Sequence, residues 1–467
     1  MLEPTEAQRS LDQRMNDAIL AGIRQAKERK RLTRSRNRLR SAAAIACCFA
    51  LIACLFTIRI SPVFASMLRD IPGLEKFVDM IDRSADRGLQ LAADNDLMQP
   101  IGLSDEHDGG KFTIEGIIAD QSRMVVFYEL ESETAKRLNL WRTELSDGNG
   151  QHLSASTGVA NENPIQELGR SVVRGTIDIT LAGDRQWPDQ VRLEIGTMEE
   201  SSAALPEPDQ NVTDYSTKDP DFGPREGNGP DYTVMFPIDR KKFESLIREY
   251  PIDQTIEAEG QRITFERAVV SPLRIALYLH YAEDNTKKIF DTGDIHLVDE
   301  NGEQWRTIGG SYRMDHPILY FESNYFHKPK HLTIEGGWLR ALDKSKLQVM
   351  IDTEKQQIVQ APDDNLELLD VARRGSYTML TVGVRSDVPD DHMMYSVLSS
   401  QFTDASGAKY EMGGDGGNLE ESWNDANNPA KSYTSYYLKN RAYHQPLTFE
   451  ITQYPAYIRQ PYRIPIW

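Results

Sequence analysis

The chain has 467 residues, enough for two to four domains with cores of their own, and a formal charge of −18 at pH 7. The charge is unevenly divided: residues 1–40 hold eleven Lys or Arg against five Asp or Glu, a net +6, so the rest carries −24. An acidic bulk of this kind argues against a polyanionic partner such as DNA. All three cysteines, Cys47, Cys48 and Cys54, fall in one apolar run, so no disulfide framework exists elsewhere.

In chain order, residues 5–27 (TEAQRSLDQRMNDAILAGIRQAK) place Leu11, Met15, Ala18, Ile19, Ile23 and Ala26 at helical spacing. The predicted amphipathic helix is marginal alone and needs a lipid surface, another copy or a cytoplasmic protein to lie against. From Arg24 to Arg40 follows a basic run, RQAKERKRLTRSRNRLR. Such a segment is drawn to anionic lipid at about 1 kcal/mol per Lys or Arg near the surface. A nucleic-acid role would need a groove-reading element, which the run lacks, so no nucleic acid is expected as a partner.

Ala42–Ile58 (AAAIACCFALIACLFTI) is uncharged. Together with Ser41, Ile60, Val63 and Phe64 it approaches the ~20 residues that cross a bilayer as a helix. Basic residues precede it and Asp70, Glu75, Asp79 and Asp82 follow. By the positive-inside rule the amino terminus is cytoplasmic and the remainder extracellular, so the lipid bilayer is the first expected partner. Two rival readings are a buried core helix and a cleaved signal peptide, the latter with Val63-Phe64-Ala65 as the cleavage site before Ser66.

Beyond the apolar run, Pro72 suits a first helical turn, and Leu74, Phe77, Val78, Ile81, Leu89 and Leu91 recur at mostly helical intervals up to Pro100. Short amphipathic helices packed on the following sheet are expected there. From Lys111 the period changes to two and a repeat emerges. Three strand pairs (111–130, 261–281 and 366–385) are each followed by a polar turn with Asp three residues before Gly: Asp147 with Gly150, Asp299 with Gly302, Asp404 with Gly407. Each copy closes on a short alternating strand, at 191–195, 331–335 and 446–451. The pattern predicts tandem β-sandwich modules of immunoglobulin-like architecture. Residues 206–231 read as a mobile linker or long loop, 239–250 (DRKKFESLIREY) as a short helix, and 413–428 as an exposed loop.

Candidate chemistry is sparse. His327 and His331 have the spacing of a helical zinc motif, but Pro329 lies between them and no Glu follows the first His. Ser406 to Lys409 matches S-x-x-K but falls in a glycine turn, without companion boxes. The acidic turns lack the spaced ligands of a calcium loop, which leaves at most a loose calcium site. Trp141, Trp187, Trp305, Trp338 and Trp423, spread over the modules, read as core or sheet-face residues. No catalytic, cofactor-binding or metal site is expected, and the protein is read as a non-enzyme.

The residues ISPVFASMLRDIPGLEKFVDMI at 60–81, DRGLQLAADNDLMQPIG at 86–102 and LAGIRQAKERKR at 20–31 resemble a family of single-pass envelope proteins of Gram-positive spore-forming bacteria. These are catalogued as a domain of unknown function and often labelled anti-sigma factor-like. The resemblance covers about the first 200 residues, and the remainder resembles an immunoglobulin-like extension in the same family. It implies a membrane protein that regulates a sigma factor; the His/Cys cluster of zinc-type anti-sigma factors has no counterpart in residues 1–40. The expected layout is thus a basic cytoplasmic segment with an amphipathic helix (1–40), a transmembrane helix (41–60), a membrane-proximal helical segment (61–100), a first β-sandwich (101–205), linker and short helix (206–250), and second and third β-sandwiches (251–360 and 361–467). Its expected role is that of an envelope sensor or regulator, engaging a sigma factor through residues 5–27 and an unidentified ligand outside. The alternative is a structural or adhesive wall-facing protein.

Overall fold

The structure, a computed structural model, describes residues 74–467 except 78–79, 82–83, 85, 134–137, 164, 168–169, 184, 200–226, 312–314, 389–390, 392, 414–419, 426–427 and 429. The expected amphipathic helix at 5–27 and the expected transmembrane helix at 41–60 lie outside the described residues. Among those described, no helix is long and apolar enough to cross a membrane.

The described chain is mainly β, as expected, with strands gathered around three apolar cores. The first core joins Phe112, Val126, Tyr128 and Ile177 of one sheet to Leu145, Leu193 and Val234 of another. Strands Met98–His107, Gly110–Ala119, Arg123–Ser132, Arg170–Leu181 and Ala155–Asn161 hydrogen-bond in that spatial order, and Leu138–Asp147, Gln190–Glu199 and Asp231–Pro237 form the facing sheet. In the second module one continuous sheet runs from Arg248–Ala258 through Gln261–Val270, Ile275–Tyr281, Ile318–Phe321, Gln304–Ser311, His296–Asp299 and Leu332–Gly336 to Tyr462–Pro465. The third packs Leu366–Arg374, Tyr377–Arg385, Lys431–Lys439 and Glu420–Asn424 against a second sheet holding Gln348–Asp352, Leu447–Ile451 and Leu398–Thr403.

The three Asp-x-x-Gly turns are built alike. In each, the glycine amide donates to the aspartate carbonyl, at 2.9 Å in Gly150, 3.2 Å in Gly302 and 2.9 Å in Gly407. Each glycine has φ of +83°, a backbone region that L side chains rarely adopt. The carboxylates of Asp147, Asp299 and Asp404 accept from the amides two and four residues ahead. These are Asx caps that fasten a hairpin, which is why Asp recurs there.

The repeat extends beyond what the sequence displayed. Each opening strand pair carries one bulge at the same place, at Glu115, Glu266 and Leu369. The first and second modules share more: Pro100-Ile101-Gly102 and Pro251-Ile252-Asp253 both break the register, with φ of +66° at Gly102 and +48° at Asp253. Both then turn through two residues of positive φ, Asp108-Gly109 and Glu259-Gly260, the type I′ geometry that matches strand twist.

Four segments differ from expectation. Within 206–250, Asp231–Pro237 is a strand of the first module, with Tyr232, Val234 and Phe236 buried on alternate positions. The expected helix over 239–250 is instead two single-turn 3-10 segments, Arg240–Lys242 and Glu244–Leu246, followed by the strand Arg248–Ala258. The chain's end also leaves the third module, because Tyr462–Pro465 pairs with Leu332–Gly336 and buries Ile464 and Ile466 in the second core. Part of the expected loop 413–428 is the edge strand Glu420–Asn424.

The described part of the segment 61–100 packs on a sheet, as expected. Phe77 of the 3-10 turn Leu74–Phe77 meets Phe127 edge-on, with ring centroids 5.5 Å apart. Lys76 and Arg174 both bind Glu129, at 2.9 and 2.7 Å. Burial alone would raise the Glu129 pKa, but these two cations outweigh it and hold the carboxyl below its usual value. Helix Arg87–Asp94 follows, capped by Asp86, whose carboxylate accepts from the Leu89 amide at 2.9 Å.

Candidate functional site

The chain's polar chemistry concentrates where modules meet. Arg123 and Arg274 occupy equivalent positions, each closing the return between the paired strands of its module: Asp120 N–H donates to Arg123 O, and Ser271 N–H to Arg274 O, both at 2.9 Å. Both arginines are buried at the contact between the first and second modules.

Arg123 lies between two carboxylates, Asp86 at 2.6 Å and Asp178 at 2.5 Å, and also donates to Leu273 O across the junction at 3.3 Å. Burial disfavours its charge, yet these carboxylates more than compensate and its pKa is raised. Because Asp86 is the helix cap, one guanidinium ties helix Arg87–Asp94, the first sheet and the second module together. The helix itself touches the junction: a Cβ at Gly88 would lie 2.6 Å from Leu273 O, so only glycine permits that approach. Arg87 adds an exposed pair with Glu303 at 2.5 Å.

Arg274 is placed differently. Its guanidinium rests on the Tyr320 ring, 3.8 Å from the centroid, and donates to Thr180 Oγ1 at 3.2 Å and Ser122 Oγ at 2.5 Å. Among the described residues no carboxylate pairs with it. Beside it opens a cleft of about 490 Å³, walled by the first module's Ser156–Gly158, Asp178, Thr180, Leu181 and Ala182 and the second module's Ile308–Ser311, with Arg123, Arg274 and Tyr320 in its lining.

The second junction is closed. Arg340 binds Asp391 at 2.7 Å and Asp291 at 2.5 Å, and Asp391 also accepts from Tyr395 and, at 2.5 Å, from Tyr457. Burial would raise the Asp391 pKa, but these donors outweigh it and the carboxyl stays depressed; burial and Asp391 together push the Tyr457 hydroxyl up to about 12. A network so fully satisfied leaves nothing to offer a ligand.

The sequence candidates fall apart in space. His327 and His331 lie in a loop, where the His331 amide donates to Glu300, and no group of three metal-ligating side chains occurs among the described residues. Ser406 is part of the third turn and donates its hydroxyl to Asp404 at 2.6 Å. Trp187 and Trp305 are core residues, while Trp141 and Trp423 are exposed on different modules. Neither arginine drew notice in the sequence; the only signal was their shared place at the head of RMVVFYEL and RIALYLHY.

A search among curated proteins finds no match. One solved structure, described as that of the conserved domain protein from Bacillus anthracis, is 15% identical and aligns over 56% of this chain and 84% of that one, with a TM-score of 0.34, too slight a likeness to guide interpretation. Two family models match, a domain of unknown function (DUF4179) over residues 33–132 and a family of unknown function (DUF5643) over residues 247–368. The chain thus carries two regions similar to domains of unknown function, the first reaching from the basic run into the first sheet and the second spanning the second module.

Proposed function

We propose that this protein is a single-pass envelope sensor or regulator: its β-modules, read as immunoglobulin-like, bind an unidentified ligand outside the cell, and residues 5–27 engage a cytoplasmic sigma factor. The supporting observation is the position of Arg123. It holds the cap of helix Arg87–Asp94 on one side and Asp178, in the cleft wall, on the other. A change in the cleft is therefore felt at helix Arg87–Asp94, which follows the apolar run 42–58 in the chain. The basic, apolar and acidic order of the sequence, with its resemblance to anti-sigma factor-like envelope proteins, gives that helix a membrane to report across.

Affinity capture with residues 1–40 as bait should recover a sigma factor identified by mass spectrometry. Failure to recover one, in cells where the full chain inserts normally, removes the regulatory half. The closed ion network at Arg340 favours a second reading, a stiff spacer facing the wall. On that reading deletion of residues 1–27 leaves the cellular role intact.

A further inference from the structure

The geometry points to the cleft between the first and second modules as a docking site for an extended peptide that presents a single carboxylate to Arg274. This deepens the sensor reading by naming the ligand class, and rests on it only for the consequence of binding.

Three observations converge. The first is the comparison between the two equivalent arginines: Arg123 has two carboxylates, whereas Arg274, 3% exposed, has only hydroxyls and an aromatic face. The Tyr320 face and two hydroxyls offset the desolvation of that guanidinium only in part, and a carboxylate fits its fork of donors. The Thr180 hydroxyl accepts from Arg274 and keeps its own hydrogen to donate.

The second is the strand Ala155–Asn161, which among the described residues ends its sheet and pairs along one side only. Its sequence, ASTGVAN, contains no charge and no proline, the devices that normally keep an edge from accepting another strand. Six of its seven residues are exposed. Across the cleft, residues 307–311 pair, among the described residues, only with Ile318–Phe321, so the opposite wall has open backbone as well. Strand addition supplies affinity through main-chain hydrogen bonds, and a nearby charged pocket supplies selectivity.

The third is charge. Around the cleft Asp178 is already engaged by Arg123, but the chain outside residues 1–40 carries −24. A polyacidic peptide meets that field along its length; an otherwise neutral strand ending in one carboxylate meets it once, at Arg274.

The test uses the full-length chain in detergent and two fluorescent peptides, an N-acylated Val-Thr-Val-Thr-Val-Ala with a free carboxylate and its carboxamide. The free acid is expected to bind at least tenfold more tightly by fluorescence anisotropy. Gly158→Trp fills the cleft at a position where a Cβ meets no atom within 4 Å, so the fold tolerates it, and binding should fall at least tenfold with the melting temperature unchanged. Arg274→Gln should erase the preference for acid over amide. Equal affinity of the two peptides, no saturable binding up to millimolar peptide, or undiminished binding by Gly158→Trp would each overturn the assignment. None of these results depends on sigma-factor capture, so the site and the signalling role stand or fall separately.

Discussion

Replacing Asp391 by alanine is the sharpest probe of how the second and third modules are held together. The carboxylate is fully buried and accepts from Arg340, Tyr395, Tyr457 and the Met393 amide. Removing one partner of a buried pair costs about 3–5 kcal/mol, in line with about 4 kcal/mol for unit charges 4 Å apart at an effective dielectric of 20. Asp291 remains on Arg340 at 2.5 Å, which places the expected loss near the lower end, about 3 kcal/mol. Arg340→Met should cost a similar amount, because it leaves the Asp391 charge buried. The double variant Arg340→Met/Asp391→Leu should return to within about 1 kcal/mol of the parent, since apolar isosteres often replace buried ion pairs at no loss. Urea titration gives the global values, and amide exchange in Leu339–Asp343 reports on the junction itself. Asp391 has a depressed pKa, so its contribution is complete above the unfolded carboxyl value near 4 and is lost as pH falls through the folded value. A loss below about 1 kcal/mol for Asp391→Ala, or a double variant that merely sums the single losses, would refute the buried-pair account.

Asp299→Ala strips the second turn of its Asx cap, leaving the Asn301 and Glu303 amides to water, and should lower stability by about 1–2 kcal/mol in thermal melts. Tyr462→Phe should be neutral or slightly stabilising, since the buried hydroxyl has no partner among the described residues; a loss above about 1 kcal/mol would show one that the geometry lacks. Glu129→Gln should weaken the wild-type pH dependence below pH 4.3. The depressed Glu129 carboxyl contributes above its unfolded value and loses that contribution as pH falls, so parent and variant stability curves should converge in acid.

How far the fold could be read in advance depended on whether the deciding contacts were local. The Asp-x-x-Gly turns were legible because aspartate cap and positive-φ glycine sit three positions apart and need only each other. Strand Asp231–Pro237 had a signal, the alternation of Tyr232, Val234 and Phe236, obscured by the Pro- and Gly-rich stretch before it. Residues 239–250 misled because Phe243, Leu246 and Ile247 have helical spacing; the outcome was set by Arg248–Ala258 finding nine partners in Gln261–Val270, a pairing worth more than a short isolated helix. The return of Tyr462–Pro465 to the second module is a pairing across more than 120 residues that no local pattern announces.

The arginines show why a candidate site is harder to read than a fold. Arg123 and Arg274 share a repeat position and a backbone hydrogen bond, so by any local criterion they are the same residue twice. What separates them is supplied from outside the repeat: Asp86 comes from the helix before the first module, and among the described residues nothing in the same role precedes the second. The Arg340 network is likewise assembled from Asp291 of one module and Asp391 of the next. Within a module, then, equivalent residues do equivalent work, and substitutions there trade stability. At a junction the same side chain takes its character from whichever segment happens to arrive, so an arginine that is a clasp at one place becomes, one module on, a cation awaiting a partner.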